Sequence, residues 1–324
     1  MKKQWMAGFT LASAVMVTAA CGSSGGGEES EGSESNTSAS GSGGNASEEL
    51  EELRVQFVPS QDADTLEAKA KPLEELLGEE LGIPVEVSVS TDYNSIVEAM
   101  NSDQVDVGFL PPTAYVLAHE QEAADVLLQA QRYGVNDDGS ETNELVDYYL
   151  SQFVVDADSD MESIEDLEGK RVAYQNTTSS AGFVWPAAEM MDAGLEPLED
   201  VEPVTVTGHD QAIVSLLNDD VDAAVTFQDA RNTVSEDYEN VFEDTKILEY
   251  TEKIPNDTVS IRPEIEGDIR QDIADAFISL GENDESQEII RDIYSHEGYV
   301  ESEDSNFDVV REYEDKVSDL TGNE

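Results

Sequence analysis

Between Tyr174 and Gly182 the chain reads Tyr-Gln-Asn-Thr-Thr-Ser-Ser-Ala-Gly, with four hydroxyl side chains in succession from Thr177 to Ser180. A β-rich run, Arg171 to Tyr174, leads in, and a helical pattern beginning Phe183-Val-Trp-Pro leads out. The first N–H groups of a helix have no acceptor within it, and hydroxyls beside them add further donors. Such a start forms an uncharged cradle for an oxyanion. Ordinary N-capping needs only one serine, so the run points to anion binding. Leu110-Pro-Pro-Thr-Ala-Tyr115 is a second strand-to-helix turn carrying a hydroxyl, and a weaker signal of the same kind. Oriented dipoles suit this chain, whose 324 residues hold 16 Lys+Arg against 74 Asp+Glu, a formal net charge of −58. They attract an anion locally without any net positive charge.

Other chemistry has little footing. The three histidines, His119, His209 and His296, lie far apart, and Cys21 is the sole cysteine, so no zinc spacing exists. Neither a Walker loop, GxGxxG, GxSxG nor a calcium-loop pattern occurs. Close carboxylate pairs carry no information among so many acids. The sequence therefore reads as a binding protein and not an enzyme, with no cofactor and no metal. So few cations cannot neutralise phosphate backbones, which excludes nucleic acid, and an anionic membrane surface is excluded in the same way. Salt screens self-repulsion of this size, as on an exterior protein adapted to high salinity.

Short β-rich runs alternate with amphipathic stretches from Leu53 onward. Strands are predicted at Leu53–Val58, Val85–Val89, Val105–Phe109, 153–155, Arg171–Tyr174, Val204–Val206 and Ala223–Thr226. Residues 65–81 place Leu66, Ala70, Leu73, Leu76, Leu77 and Leu81 on one helical face, with a break at Pro72, and Asn94–Asn101 forms a short helix. The alternation predicts α/β architecture around open, mainly parallel sheets. Two segments look alike at an offset of 117 residues with one gap: TDYNSIVEAMNSDQVDVGF from Thr91 and GHDQAIVSLLNDDVDAAVTF from Gly208. Tyr93 then matches Asp210, and Ile96-Val97 matches Ile213-Val214. Two facing lobes would aim Asp92-Tyr93 and His209-Asp210 into one cleft.

The start of the chain concerns location. Lys2-Lys3, an apolar stretch from Trp5 and Ala19-Ala20-Cys21 make residues 1–20 a signal peptide. The Ala-Ala-Cys ending resembles the lipobox of bacterial lipoproteins, with Thr18 where the family usually has Leu. That resemblance implies lipidation, palmitate included, of Cys21 and a membrane contact through the N-terminal lipid only. Residues 21–50 are then the lipidated cysteine followed by a flexible acidic Gly/Ser linker that holds the folded body off the membrane.

In order along the body stand VPSQDAD (58–64), TDYNSIVEAM (91–100), VDVGFLPPTAYVLA (105–118), SIEDLEGKRVAY (163–174), TTSSAGFVWP (177–186), GHDQAIVSLLNDDVDAAVTFQDAR (208–231) and IPNDTVSIRPEI (254–265). This succession is similar to the phosphate/phosphite/phosphonate substrate-binding lipoproteins of ABC importers, over roughly residues 53–312. The resemblance implies a two-lobed type II periplasmic-binding-protein fold with two hinge crossovers, near 145–152 and 250–257. Residues 51–148 and 254–324 would form lobe 1, and 149–253 lobe 2. It implies as ligand a phosphonate, phosphite or phosphate, held by Tyr93, Thr113, Tyr149, Thr178, Ser179, Ser180, Ala181, His209 and Asp229. Ala181 stands where many members carry a third hydroxyl, leaving a backbone donor. Asp229 would accept from a protonated ligand oxygen or an amino group, or would pair with Arg231. His119 and His296 are expected at the surface or in helix roles, and Tyr115 and Trp185 in the core. The implied partner is an ABC permease and ATPase at the extracytoplasmic face. The alternative is a sensory or adaptor lipoprotein that uses the same clamp for another small anion.

Overall fold

The structure is a computed structural model that describes residues 50–321. The expected signal peptide, Cys21 and the linker through residue 49 lie outside these residues. The first part of the chain forms β1 (Leu53–Phe57), α1 (Ala63–Ala70), α2 (Leu73–Leu81), β2 (Val85–Val89), α3 (Tyr93–Asn101), β3 (Val107–Leu110), α4 (Pro112–Glu120), β4 (Asp125–Val135) and β5 (Glu141–Val146). The middle part forms β6 (Tyr148–Asp156), β7 (Arg171–Tyr174), α5 (Trp185–Asp192), β8 (Glu202–Thr205), α6 (His209–Leu217), β9 (Ala223–Phe227), α7 (Val241–Asp244) and β10 (Thr245–Pro255). The last part adds β11 (Thr258–Ile261), α8 (Asp268–Leu280), α9 (Asp284–Tyr294), β12 (Gly298–Glu301) and α10 (Asp308–Thr321).

These strands build two sheets. One has seven strands in the order β12-β4-β11-β3-β1-β2, with β5 on β4; the other has five, β10-β6-β9-β7-β8. The chain passes from the first sheet to the second at Asp147 and returns at Asn256-Asp257. Asn256 is buried at this double crossing and donates to the carbonyls of Ala130 and Val146, both at 3.0 Å. The expectation of mainly parallel sheets is corrected. Only β1 with β2 and β3, and β7 with β8 and β9, are parallel; all other pairings are antiparallel. The antiparallel strands β4, β6, β10 and β11 flank the two crossings, where the chain turns back.

The internal likeness is real and corrects its own alignment. Helices α3 and α6 start at Tyr93 and His209, 116 residues apart, and bury Tyr93, Ile96, Val97 and Met100 against His209, Ala212, Ile213 and Leu216 at that same spacing. Asp103 and Asp219 both take left-handed backbone after these helices, with φ of 58° and 59°. Each unit then clamps an arginine. Arg54 at the start of β1 donates through its backbone N–H, Nε and a terminal nitrogen to Asp106, each at 2.8 Å. Arg171 on β7 does the same to Asp222 at 2.9, 3.2 and 2.8 Å. Tyr93 therefore corresponds to His209 and not to Asp210, with no gap.

Apolar packing holds each sheet to its helices. Phe57 and Phe109 stack at 4.2 Å between ring centres, and Tyr115 and Trp185 are fully buried. Each such large side chain stabilises the fold by about 1.5–3 kcal/mol. Helix α10 links the two halves: it packs on α4 and on α5, where Tyr313 stacks on Trp185 at 4.3 Å. His296 corrects its expected surface place. It follows Ser295, whose positive φ ends α9, and lies buried edge-on to Tyr294 and Tyr299.

Candidate functional site

A cavity of about 280 Å³ lies between the two sheets, lined from one side by Tyr93 and Arg132 and from the other by Tyr149, Ser179, Ala181, His209 and Asp229. Helix starts bring the first donors. The side chain of Asp92 accepts from Asn94 and Ser95 N–H, both at 2.9 Å, which fixes the first turn of α3 and sets Tyr93 at its head. Burial raises the Tyr93 phenol well above its ordinary pKa, partly offset by the nearby Ser179 hydroxyl, so it remains a donor. The same holds for Tyr149 on β6, beside Ser180.

Ser179 caps a π-helical turn, Ser180–Val184, that runs into α5. Its oxygen accepts from Gly182 N–H at 3.1 Å, which leaves its proton to be donated. His209 heads α6, four per cent exposed, with its ring edge-on to Phe227 at 4.7 Å. Burial pushes its pKa down to about 3, so the ring is neutral, with one nitrogen a donor and the other an acceptor. Its Nδ1 is buried without a protein partner.

Thr113, Thr178 and Ser180 are not among the cavity's lining residues. Their hydroxyls join the two halves of the molecule instead. Ser180 accepts from Thr113 N–H at 3.0 Å and lies 2.9 Å from the Thr113 hydroxyl. Thr178 donates to Asn176 at 2.7 Å and reaches Asn94 on α3 at 3.2 Å. His209 N–H donates to the Ser60 carbonyl at 2.9 Å, and Asp62 N–H to Asp210 at 3.1 Å. The halves thus meet closely on both sides of the cavity. A Cβ at Gly208 would fall 2.3 Å from Asp210 Oδ1 and 3.2 Å from the Gln61 Cα, so this close contact favours glycine.

Sequence reasoning missed the charged residues that line the cavity beside Asp229: Arg132, Asp257, Lys69, Arg291 and Asp292. Arg132 on β4 pairs with Asp229, both almost fully buried, and not Arg231 as one reading had it. Arg231 instead stacks over Phe242 at 4.6 Å and donates to the Asp137 carbonyl at 2.7 Å. Asp257 lies at the return crossing, and burial pushes its carboxyl up to about 7. A faint signal existed: cations are so scarce here that an arginine inside the alternating run Leu127–Val135 merits notice.

Arg132 also marks the base of the β4–β5 hairpin, whose tip rests on the second sheet's side. Gln228 donates to the Val135 carbonyl at 2.8 Å, Asn232 to that of Gly139 at 2.9 Å, and Tyr250 to Asp137 at 3.1 Å. Gly139 has φ +78°, and a Cβ there would fall 2.4 Å from Phe242. Gly139→Val is therefore expected to lift the tip and destabilise the protein by about 1–2 kcal/mol for the backbone alone. Urea denaturation would read this, and unchanged stability would refute the docking of the hairpin.

The comparisons with known proteins agree with this geometry. The family described as the periplasmic substrate-binding protein of phosphonate ABC transporters matches residues 55–307. The chain belongs to that family. It is 28% identical over 185 residues to the phosphate-import protein PhnD of Mycolicibacterium smegmatis, covering 55% of each chain. With the phosphonates-binding periplasmic protein of Escherichia coli it shares 21% identity over 250 residues, 76% of this chain and 71% of that one. The matched stretch thus spans little more than half of the mycobacterial relative. Among solved structures, a binding component of a Pseudomonas aeruginosa ABC phosphonate transporter superposes with a TM-score of 0.72 at 18% identity, over 85% of this chain and 90% of that one. PhnD1 of Prochlorococcus marinus, in complex with methylphosphonate, gives 0.71 at 16%, over 83% and 98%. The fold is the two-lobed type II periplasmic-binding fold with two hinge crossovers, and members of the family are transport binding proteins.

Proposed function

We propose that the protein captures a small phosphonate, or a related phosphorus oxyanion, between its lobes and delivers it to an ABC importer. The observation that carries this reading is the convergence of donors from both lobes on one cavity: Tyr93, Tyr149, Ser179 and the neutral His209. The unbonded N–H groups at the start of the Ser180–Val184 turn add to them. Lobe 1 is taken as residues 51–148 and 254–324 and lobe 2 as residues 149–253; the sheet of lobe 2 runs slightly beyond these bounds, from Tyr148 to Pro255. Thr113, Thr178 and Ser180 act in this reading as closure contacts, which favour the bound state by joining the lobes around the cargo. Among the described residues no helix is long and apolar enough to cross a membrane. Attachment through a lipid on Cys21, at the extracytoplasmic face, would place the body near its permease; mass spectrometry of the mature N-terminus tests this.

Calorimetric titration of the purified full chain in about 1 M salt, against methylphosphonate, phosphite, phosphate and sulfate, tests the function. One-to-one binding of a phosphorus compound is expected, with sulfate silent. Ser179→Ala removes one hydrogen bond to a charged group and should weaken binding by about 1.5–3 kcal/mol. Silence from every phosphorus compound would sink the proposal.

A further inference from the structure

We propose that Arg132 selects the cargo: seated on Asp229, its guanidinium fills the place that a cationic substituent would need, so the receptor takes phosphonates with neutral substituents and rejects aminoalkyl ones. The inference rests on the phosphonate reading of the same cavity. Asp229 by itself would favour an ammonium group on the ligand. The ion pair changes that balance. Arg132 comes from β4 in one lobe and Asp229 follows β9 in the other, so the pair bridges the two lobes. Both side chains are more than nine-tenths buried, and the one Asp229 oxygen left without a partner, Oδ1, lies on the same carboxylate as the bonded one. A ligand ammonium reaching that oxygen would sit against the guanidinium, in a space where dissolved salt screens poorly.

The charges in the closed cavity agree. Arg132 and Asp229 cancel, and burial keeps Asp257 largely protonated below about pH 7. Lys69, Arg291 and Asp292 also line the cavity, with Arg291 bonded to Glu297, so an anionic head meets donors and no excess of negative charge.

Three ligands of nearly equal size isolate the effect in the unaltered protein at pH 6.5: ethylphosphonate, 2-hydroxyethylphosphonate and 2-aminoethylphosphonate. The amino compound is expected to bind at least about tenfold more weakly than the hydroxyl compound. In Arg132→Gln that ratio should shrink to near one or invert, and in Arg132→Lys it should persist. Should Arg132→Gln fail to fold, the wild-type ranking still decides. Equal or tighter binding of 2-aminoethylphosphonate by the wild type overturns the inference, as does an unchanged ratio in a folded Arg132→Gln. Either result leaves phosphonate capture intact, whereas failure of all three ligands, and of methylphosphonate and phosphite, removes the underlying reading.

Discussion

Asp106→Ala is expected to destabilise the protein by about 3–5 kcal/mol, while its counterpart Asp222→Ala costs a small fraction of that. The two carboxylates stand at equivalent places in the internal repeat, each clamping the arginine that opens a parallel strand. Their surroundings differ. Asp106 is fully buried and serves two arginines, Arg54 and Arg262, the second reaching it from the end of β11 at 2.8 and 3.1 Å. Removing it leaves two guanidinium groups without their shared acceptor, and Arg262 is only 12% exposed. Stranding a buried charge costs far more than losing a surface pair. Asp222 serves Arg171 alone, and both are more than a third exposed, where water replaces the lost bonds. Urea denaturation of the two variants side by side measures the contrast. Equal losses would mean that the repeat, and not burial, sets the value of the clamp.

The same repeat shows how far the sequence could be read. Apolar periodicity places α3 to within a residue, and the strands that follow α3 and α6 to within two, because each buries one face. The matching Ile-Val pairs drew the alignment one residue out of register, since identity of letters outweighed the buried positions. Serine and threonine posed a different problem. In the run Thr177–Ser180 the hydroxyls look equivalent as a string, yet each step around a turn points a side chain elsewhere. Ser179 faces the cavity, while Thr178 and Ser180 turn toward Asn94 and Thr113. The charged residues were least legible. Arg132 and Asp257 acquire their roles only because β4 and the return crossing are brought together with lobe 2, through contacts about a hundred residues apart in the chain, such as Arg132 with Asp229. No local pattern marks a residue whose partner lies across a hinge.

Asp257→Asn is expected to flatten both the stability and the phosphonate affinity of the protein against pH. Burial is the largest influence on this carboxyl and raises it to about 7, with Arg132 and a hydrogen bond from Tyr149 opposing. His296 Nε2 lies 4.0 Å away, too far for a hydrogen bond, and burial holds that imidazole neutral with its pKa near 3. Because the folded value of Asp257 exceeds the unfolded one, its contribution to stability is fully present below about pH 4 and is lost as pH rises to about 7. The loss is on the order of 4 kcal/mol. His209 and His296 act oppositely: their lowered values add stability as pH rises from about 3 to about 6.5. Above pH 6.5 the histidines are silent in both states and Asp257 alone of these three still titrates. The asparagine variant, uncharged throughout, should therefore be more stable than the wild type at pH 8 and match it near pH 4. Ligand affinity follows the same logic under the proposed function, since an ionised Asp257 adds a negative charge to the cavity proposed to take the anion. Relative to the variant, the wild type should lose about tenfold in affinity for methylphosphonate per pH unit above about 7. The ligand's own ionisation is common to both proteins and cancels in the ratio. Parallel affinity profiles would show that Asp257 keeps one charge state across this range and that the cavity is tuned by Arg132 and Asp229 alone.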